Sequence, residues 1–176
     1  MGINQGVSGS GGGGGGIDGP SFHAYIEPSL SAYSGSGPHT VLFQNQEWSY
    51  PAGTPYSPST GQYTAPESGV YLVTSTVADL GGSVQAELII VINFNSGTEP
   101  PFATNAIRGG NAANTTSMDV TYVTAHVNLT AGDTVEIQCE VFGGTMEPAG
   151  LKAVSSYTTG GQRSFFTVAR VSSLGS

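Results

Sequence analysis

The histidines and the cysteine are the side chains of this sequence best suited to metal binding or nucleophilic chemistry. His23, His39 and His126 lie far apart, so no local pair has the spacing of a zinc site. Cys139 lies in the alternating run Thr134–Val141 without an evident electropositive setting, which predicts a buried thiol rather than a nucleophile. A single cysteine also excludes a disulfide within the chain. We therefore expect no metal, no cofactor and no thiol chemistry.

The acidic side chains could supply the two carboxylates that glycan hydrolysis requires across one sugar. The chain has 12 acidic residues, but nothing in their spacing selects such a pair. It has no Gly-x-Ser-x-Gly nucleophile motif, and Gly109-Gly110-Asn111 lacks the context of a phosphate-binding loop. Gly132-Asp133 is typical of a turn in which aspartate bonds its own backbone, with a calcium ligand as the alternative. The sequence predicts that the protein is not an enzyme.

The charge of the chain is sparse and acidic. Charged residues make up 9% of the sequence, against roughly 25% in an ordinary soluble domain, and the formal net charge is −8. Nucleic acid and anionic membranes both require clustered cations, whereas the 4 basic residues are scattered: Arg108, Lys152, Arg163 and Arg170. No stretch approaches the 18 or so apolar residues of a spanning helix. We expect neither nucleic acid nor a membrane as a partner.

Aromatic side chains near one Pro- and Ser-rich segment are candidates for a binding surface. Trp48, Tyr50 and Tyr56 cluster there, where rigid aromatic area could bind sugars or a partner protein. The alternative is that these side chains cover one end of the folded domain. We carry all three forward as candidate ligand-binding residues.

Short β-strands must position these side chains. Val, Ile, Thr and Tyr alternate with polar residues between Gly- and Pro-rich turns, and no window shows a helical stripe. The residues at 88–92 are apolar on both faces, which predicts a central strand. We predict an all-β sandwich with strands near 22–26, 40–43, 70–77, 84–94, 118–129, 134–142 and 164–171.

The first 20 residues differ from the rest in composition. They contain an uninterrupted glycine run, Gly11, Gly12, Gly13, Gly14, Gly15 and Gly16. Ordering six such residues costs on the order of 6–12 kcal/mol, so the segment is either a flexible linker or an arm held by a neighbouring molecule. Met1 to Gln5 has no basic start and no apolar stretch, so we expect no Sec-type export. We predict an anchoring arm over 1–20 and one domain over 21–176.

One segment of that domain resembles a known family. Gly61–Tyr71 reads Gly-Gln-Tyr-Thr-Ala-Pro-Glu-Ser-Gly-Val-Tyr, which is similar to the signature of the C1q/TNF-like jelly roll. Thr167 departs from the family pattern, which usually has glycine there. Further matches follow in the expected order, and the resemblance extends over about 22–171: Phe43–Asn45, Tyr56, Leu129–Val135 and Ser164–Val168.

The resemblance implies a jelly roll of ten strands that forms a homotrimer around a threefold axis. It does not imply a ligand, because one fold presents many different surfaces. A set of strand aromatics is then expected either in the core or at the threefold interface: Tyr71, Tyr122, Phe142, Phe165 and Phe166.

A trimeric head behind a glycine-rich arm favours a bacteriophage virion surface protein, either a head decoration or the knob of a fibre. In this interpretation the arm anchors the trimer to the particle, and the trimer adheres weakly to cell-surface glycans. The alternative is a binding module of the bacterial cell or spore surface, and a glycan-active enzyme is less favoured.

Overall fold

The structure is a computed structural model that describes residues 19–27, 33–34, 37–50, 55–79, 85–93, 103–107, 119–143, 145–146 and 164–173. These residues form two antiparallel sheets and one two-stranded ribbon, with no helix among them. The predicted all-β sandwich is confirmed. The glycine run proposed as the anchor, Gly11–Gly16, lies outside the described residues.

Thirteen strands are found in the described residues, and ten of them have three or more residues, in agreement with the expected ten-stranded jelly roll. In chain order they are β1 (Ser21–Tyr25), β2 (Tyr33–Ser34), β3 (Gly37–Thr40), β4 (Asn45–Tyr50), β5 (Tyr56–Ser57), β6 (Gln62–Thr64), β7 (Gly69–Asp79), β8 (Gln85–Ile92), β9 (Ala103–Ile107), β10 (Asp119–Leu129), β11 (Thr134–Gly143), β12 (Thr145–Met146) and β13 (Phe165–Ser172).

The strands are arranged as two packed layers. The five-stranded sheet has the order β10-β7-β13-β1-β4, and the six-stranded sheet has the order β5-β6-β11-β8-β9 with β3 also paired to β11. β2 and β12 form the separate ribbon. Inward-facing side chains of both sheets make one continuous core.

Phe22 lies at the centre of this core. Its ring centroid is 4.9 Å from each of the rings of Tyr56, Tyr63 and Phe166, two of them stacked and the third edge-on. Burying each such side chain contributes about 1.5–3 kcal/mol. Cys139 is also fully buried in this core, as the alternation around it predicted.

The predicted central strand is confirmed by β8. It lies between β9 and β11, and it buries residues on both of its faces, from Leu88 to Val91. The strand predicted at 40–43 is wrong, because the chain is already extended at Gly37–Thr40. Pro38 is tolerated there because β3 pairs with β11 on only one side.

In the corner that carried the family resemblance, Gly61–Tyr71, the Tyr71 side chain bonds back to the backbone of the same segment. The Tyr71 hydroxyl donates to the Glu67 carbonyl at 2.6 Å, and the Glu67 carboxylate pairs with Arg170. A Cβ added at Gly69 would lie 2.6 Å from the Ser172 carbonyl oxygen. The backbone of β13 therefore approaches Gly69 too closely for a side chain.

Gly132 and Asp133 form the expected turn. Gly132 has a φ of 96°, which favours glycine, and the Asp133 carboxylate accepts the Thr130 backbone N–H at 2.7 Å. Its other oxygen accepts the Asn93 side-chain amide at 2.9 Å. Both carboxylate oxygens thus serve the turn and its contact with the end of β8.

Candidate binding surface on the five-stranded sheet

The side of the five-stranded sheet that faces away from the core is the surface with the most unusual composition; we call it the outer face. Residues directly opposite each other in an antiparallel sheet share one face, so the strand register defines three rows of side chains across it. From β10 to β4 the rows are Tyr122-Thr76-Phe165-Tyr25-Asn45, Thr124-Thr74-Thr167-His23-Trp48 and His126-Leu72-Ala169-Ser21-Tyr50.

These rows contain no lysine, arginine, aspartate or glutamate. They do contain three exposed aromatic side chains, Trp48, Tyr50 and Tyr122, at 46%, 63% and 62% exposure. One carboxylate, Glu47, lies beside the rows at the β1–β4 register shift. Exposed Trp and Tyr on a face depleted of charge are typical of a surface that another molecule covers.

The most exposed side chains of the outer face lie at its two edges. The bulky exposed side chains lie on the two edge strands, β4 and β10, whereas Ser21 and Ala169 between them are buried. Thr74 and Thr124 are hydrogen-bonded through their hydroxyl groups at 3.1 Å. The less exposed strip over β7, β13 and β1, which we call the trough, combines hydroxyl-bearing side chains with Phe165 and Leu72 and lies between the exposed aromatic side chains of β4 and β10.

His23 lies within this trough and is held by four neighbours. Its Nδ1 is 2.8 Å from Thr167 Oγ1, and its Nε2 is 3.5 Å from Glu47 Oε2. Its ring is stacked near Trp48 and Phe165, with centroid distances of 6.1 and 5.6 Å. Glu47 is next to this ring because the β1–β4 register shifts between His23 and Ala24.

The candidate ligand-binding residues do not form one cluster. Trp48 and Tyr50 lie two residues apart on β4 and share the outer face. Tyr56 is 1% exposed, its hydroxyl accepts the Phe43 N–H at 3.0 Å, and burial raises its pKa. The hypothesis that Tyr56 contacts a ligand is therefore wrong for the folded chain. Its Pro- and Ser-rich context indicated an open loop, but Tyr56 begins β5 and packs on Phe22.

The strand aromatics divide between the two expected locations. Tyr71 and Phe166 have no exposed surface and belong to the core, so they have no area left to bury in an oligomer. Tyr122 and Phe165 lie on the outer face. Phe142 is 58% exposed near the end of β11, in the other sheet.

Sequence reasoning did not place His23, Tyr25 and the threonines together on one surface. Every second residue of Ser21–Tyr25 and of Leu72–Thr76 belongs to it, so the alternation was visible in the sequence. The order of the strands was not visible, and only that order places Thr74 beside Thr167 and Thr167 beside His23.

A second polar cluster lies on the six-stranded sheet, around Glu136. This residue is 2% exposed, and its carboxylate accepts bonds from Thr40 Oγ1 at 3.1 Å, Gln62 Nε2 at 2.9 Å and Gln138 Nε2 at 2.6 Å. A buried carboxylate with its acceptor sites used in this way is a structural group. Across the described part of the chain, no three His, Cys, Asp or Glu residues are grouped as a metal ion would require.

The described residues include no helix long and apolar enough to cross a membrane. Comparison with known proteins found no matching family model and no matching curated protein. Solved structures do match.

The chain is similar to Eiger TNF from S. frugiperda, with 14% identity over 90% of this chain and 95% of that chain, at a TM-score of 0.58. It is similar to murine APRIL, with 12% identity over 86% and 98%, at a TM-score of 0.54. It is also similar to the globular domain of the zebrafish complement 1qA protein, with 16% identity over 86% and 94%, at a TM-score of 0.51. The chain therefore has the C1q/TNF-like jelly-roll fold that its sequence signature suggested.

Proposed function

We propose that this protein is a binding module without enzymatic activity that assembles as a homotrimer through the outer face. The observation that carries the proposal is the trough between exposed aromatic side chains, with no formally charged residue in the three rows of the outer face. Depletion of charge and enrichment of Trp and Tyr are the marks of the buried centre of an interface. A copy of the same chain is a suitable partner because identical chains form closed symmetric assemblies, and the shared fold is consistent with a threefold one.

Analytical ultracentrifugation at micromolar concentration tests the trimer. The expected mass is about three times 17.9 kDa. Thr124→Lys places a charge on the outer face and should yield monomers, because a buried unpaired ammonium group is costly. Thr64→Lys is the matched control, since Thr64 is an exposed strand threonine on the other sheet, and it should leave the trimer intact. A monomeric native protein would refute the proposal.

We also propose that the trimer is a head on the surface of a virion and that residues 1–20 anchor it to the particle. Support comes from the composition of the arm, whose run of six glycines precedes the jelly roll. The Arg170 backbone N–H donates to the Pro20 carbonyl at 2.9 Å, and a Cβ on Gly19 would lie 2.7 Å from Arg170 Cβ. Gly19 and Pro20, the last two residues of the arm, thus pack against β13. Mass spectrometry of purified particles should detect the chain; recovery only from a bacterial cell or spore envelope would favour the alternative.

A second candidate is glycan adhesion at β4. It is favoured by Trp48 and Tyr50, two exposed aromatic side chains on one face of an edge strand. Trp48 is the single tryptophan of the chain, so its fluorescence should change when host polysaccharide is added. Tyr50→Ala should weaken this response roughly two- to tenfold, since one aromatic contact contributes about 0.5–1.5 kcal/mol. Phe142→Ala is the control, and an equal loss in both variants would exclude β4 as the site.

A further inference from the structure

His23 and Glu47 form a titratable pair beside a surface that otherwise holds no formal charge. His23 belongs to the middle row of the outer face, and Glu47 lies at the register shift beside it. The side chains are 20% and 53% exposed in the single chain. Water therefore reaches the carboxylate now, and a second copy seated over the trough would remove much of that water.

The free-energy cost of covering the His23–Glu47 pair with a second copy differs between neutral and protonated His23. A neutral imidazole can donate only one N–H, which leaves the Glu47 carboxylate as a net negative charge in a dry interface. A protonated imidazole carries an N–H on both nitrogens, one 2.8 Å from Thr167 Oγ1 and the other 3.5 Å from Glu47 Oε2, and its positive charge makes the pair neutral overall. An unpaired buried charge costs several kcal/mol more than a paired one, so covering favours the protonated state.

Other titratable groups around His23 are less well placed to set this balance. On β1 itself, Tyr25 lies in the adjacent row, and on β4, Tyr50 lies in the other adjacent row. β13 contributes Thr167 and Phe165, neither of which titrates. His126 lies on β10, at the far edge of the face.

We propose that trimer assembly takes up a proton at His23 in each subunit, so that acidification toward pH 6 strengthens the trimer. This inference rests on the proposed homotrimer and adds its regulation. Proton uptake on assembly means that the extra affinity is complete below the ordinary titration range of histidine, about 6.5, and is lost as the pH rises above it. A tenfold effect in each subunit multiplies to about a thousandfold in the trimer association constant.

Sedimentation equilibrium between about pH 8 and about pH 6 tests the inference, in a range where histidine titrates and ordinary carboxyl groups stay ionised. The native protein should show an association constant that rises between about tenfold and a thousandfold on acidification. Glu47→Gln keeps the shape of the side chain and removes its charge, and it should abolish most of this rise. Glu140→Gln is the matched control, since it makes the same change of side chain on the other sheet, and it should retain the rise.

Each outcome of this experiment has a distinct meaning. A trimer whose association constant is independent of pH, or weakens on acidification, overturns the proton-linked assembly but leaves the trimer standing. A rise that survives in Glu47→Gln also overturns it. A monomer at every pH overturns both proposals. If His23→Gln folds, it should behave like Glu47→Gln, and Trp48 fluorescence reports folding and coverage of the face in every variant.

Discussion

At the scale of single residues, the contacts at Gly69 determine how the chain enters its longest strand pairing. The neighbouring Ser172 carbonyl belongs to the backbone and cannot rotate away, unlike the Arg170 side chain on the same side. This position therefore depends on the absence of a side chain rather than on an unusual φ angle.

Gly69→Ala should destabilise the fold by about 1–3 kcal/mol, the usual range for one extra methyl group in a packed site. Gly132→Ala is an informative control because a Cβ there meets nothing within 4 Å, although its φ of 96° is strained for alanine. Its loss should be nearer 1 kcal/mol. Urea denaturation of both variants compares them, and a smaller loss at Gly69 would contradict the steric argument.

Tyr56 shows where residue-level reading of the sequence fails, whereas Tyr71 lies in the core, one of its two expected locations. Tyrosine at the edge of a Pro- and Ser-rich segment suits both a ligand platform and a core position, and composition alone does not separate the two. The hydroxyl groups of both residues bond to the backbone, at Phe43 N–H and at the Glu67 carbonyl, which makes full burial possible.

At the scale of elements, Glu136 ties two short strands to a long one. β3 and β6 lie one after the other along the same edge of β11, and their side chains Thr40 and Gln62 both donate to the Glu136 carboxylate. Neither strand is longer than four residues, so each has few backbone bonds of its own. The Glu136 carboxylate adds side-chain hydrogen bonds that hold both short strands to β11.

Glu136→Ala should therefore cost about 1–3 kcal/mol, because it leaves the buried Gln138 amide without its partner, whereas the half-buried Thr40 and Gln62 lie nearer to solvent. Glu140→Ala, at a half-buried position on the same face of β11, should cost much less. Thermal unfolding followed by far-UV circular dichroism provides the comparison. Equal losses would show that the carboxylate does not join the strands.

The long strands were predictable, and the short ones were not. Val70 to Val77 alternates so regularly that β7 could be placed within a few residues, and the run at 88–92 identified a central strand. β4 was missed because Asn45-Gln46-Glu47-Trp48-Ser49-Tyr50 has no alternation of apolar and polar residues. An edge strand that is partly exposed to solvent on both of its faces does not need that alternation.

At the scale of the whole molecule, the family signature predicted the fold, although no family model matches and the similar structures named above are at most 16% identical. The backbone contacts at the Gly61–Tyr71 corner explain why the signature identified the fold despite this low identity. Tyr71, Gly69 and Asp133 are each required by a specific backbone contact, whereas most core positions accept any apolar residue of suitable volume. The outer face escaped prediction because it is assembled from five strands that are distant in sequence.

The proposed trimer would also raise the avidity of a weak glycan contact. Once one subunit of the trimer has bound a surface, binding by the second and third subunits is intramolecular. Contacts at β4 with millimolar dissociation constants then become useful without new interactions. The same trimer would bring three outer faces together. Coverage of Trp48 by a neighbouring copy and contact of Trp48 with a glycan are therefore competing uses of one side chain, and fluorescence of the native trimer distinguishes them.

The register shift between β1 and β4 has a consequence for the behaviour of the protein at high concentration. β4 is the last strand of its sheet among the described residues, and exposed aromatic edge strands readily template the addition of further strands, which leads to fibrils. A bulge bends such an edge, and here it also places a carboxylate, Glu47, beside it. Removal of the bulge by deletion of one residue would leave a straight aromatic edge, and the protein would then be prone to amyloid-like growth rather than to closed assembly.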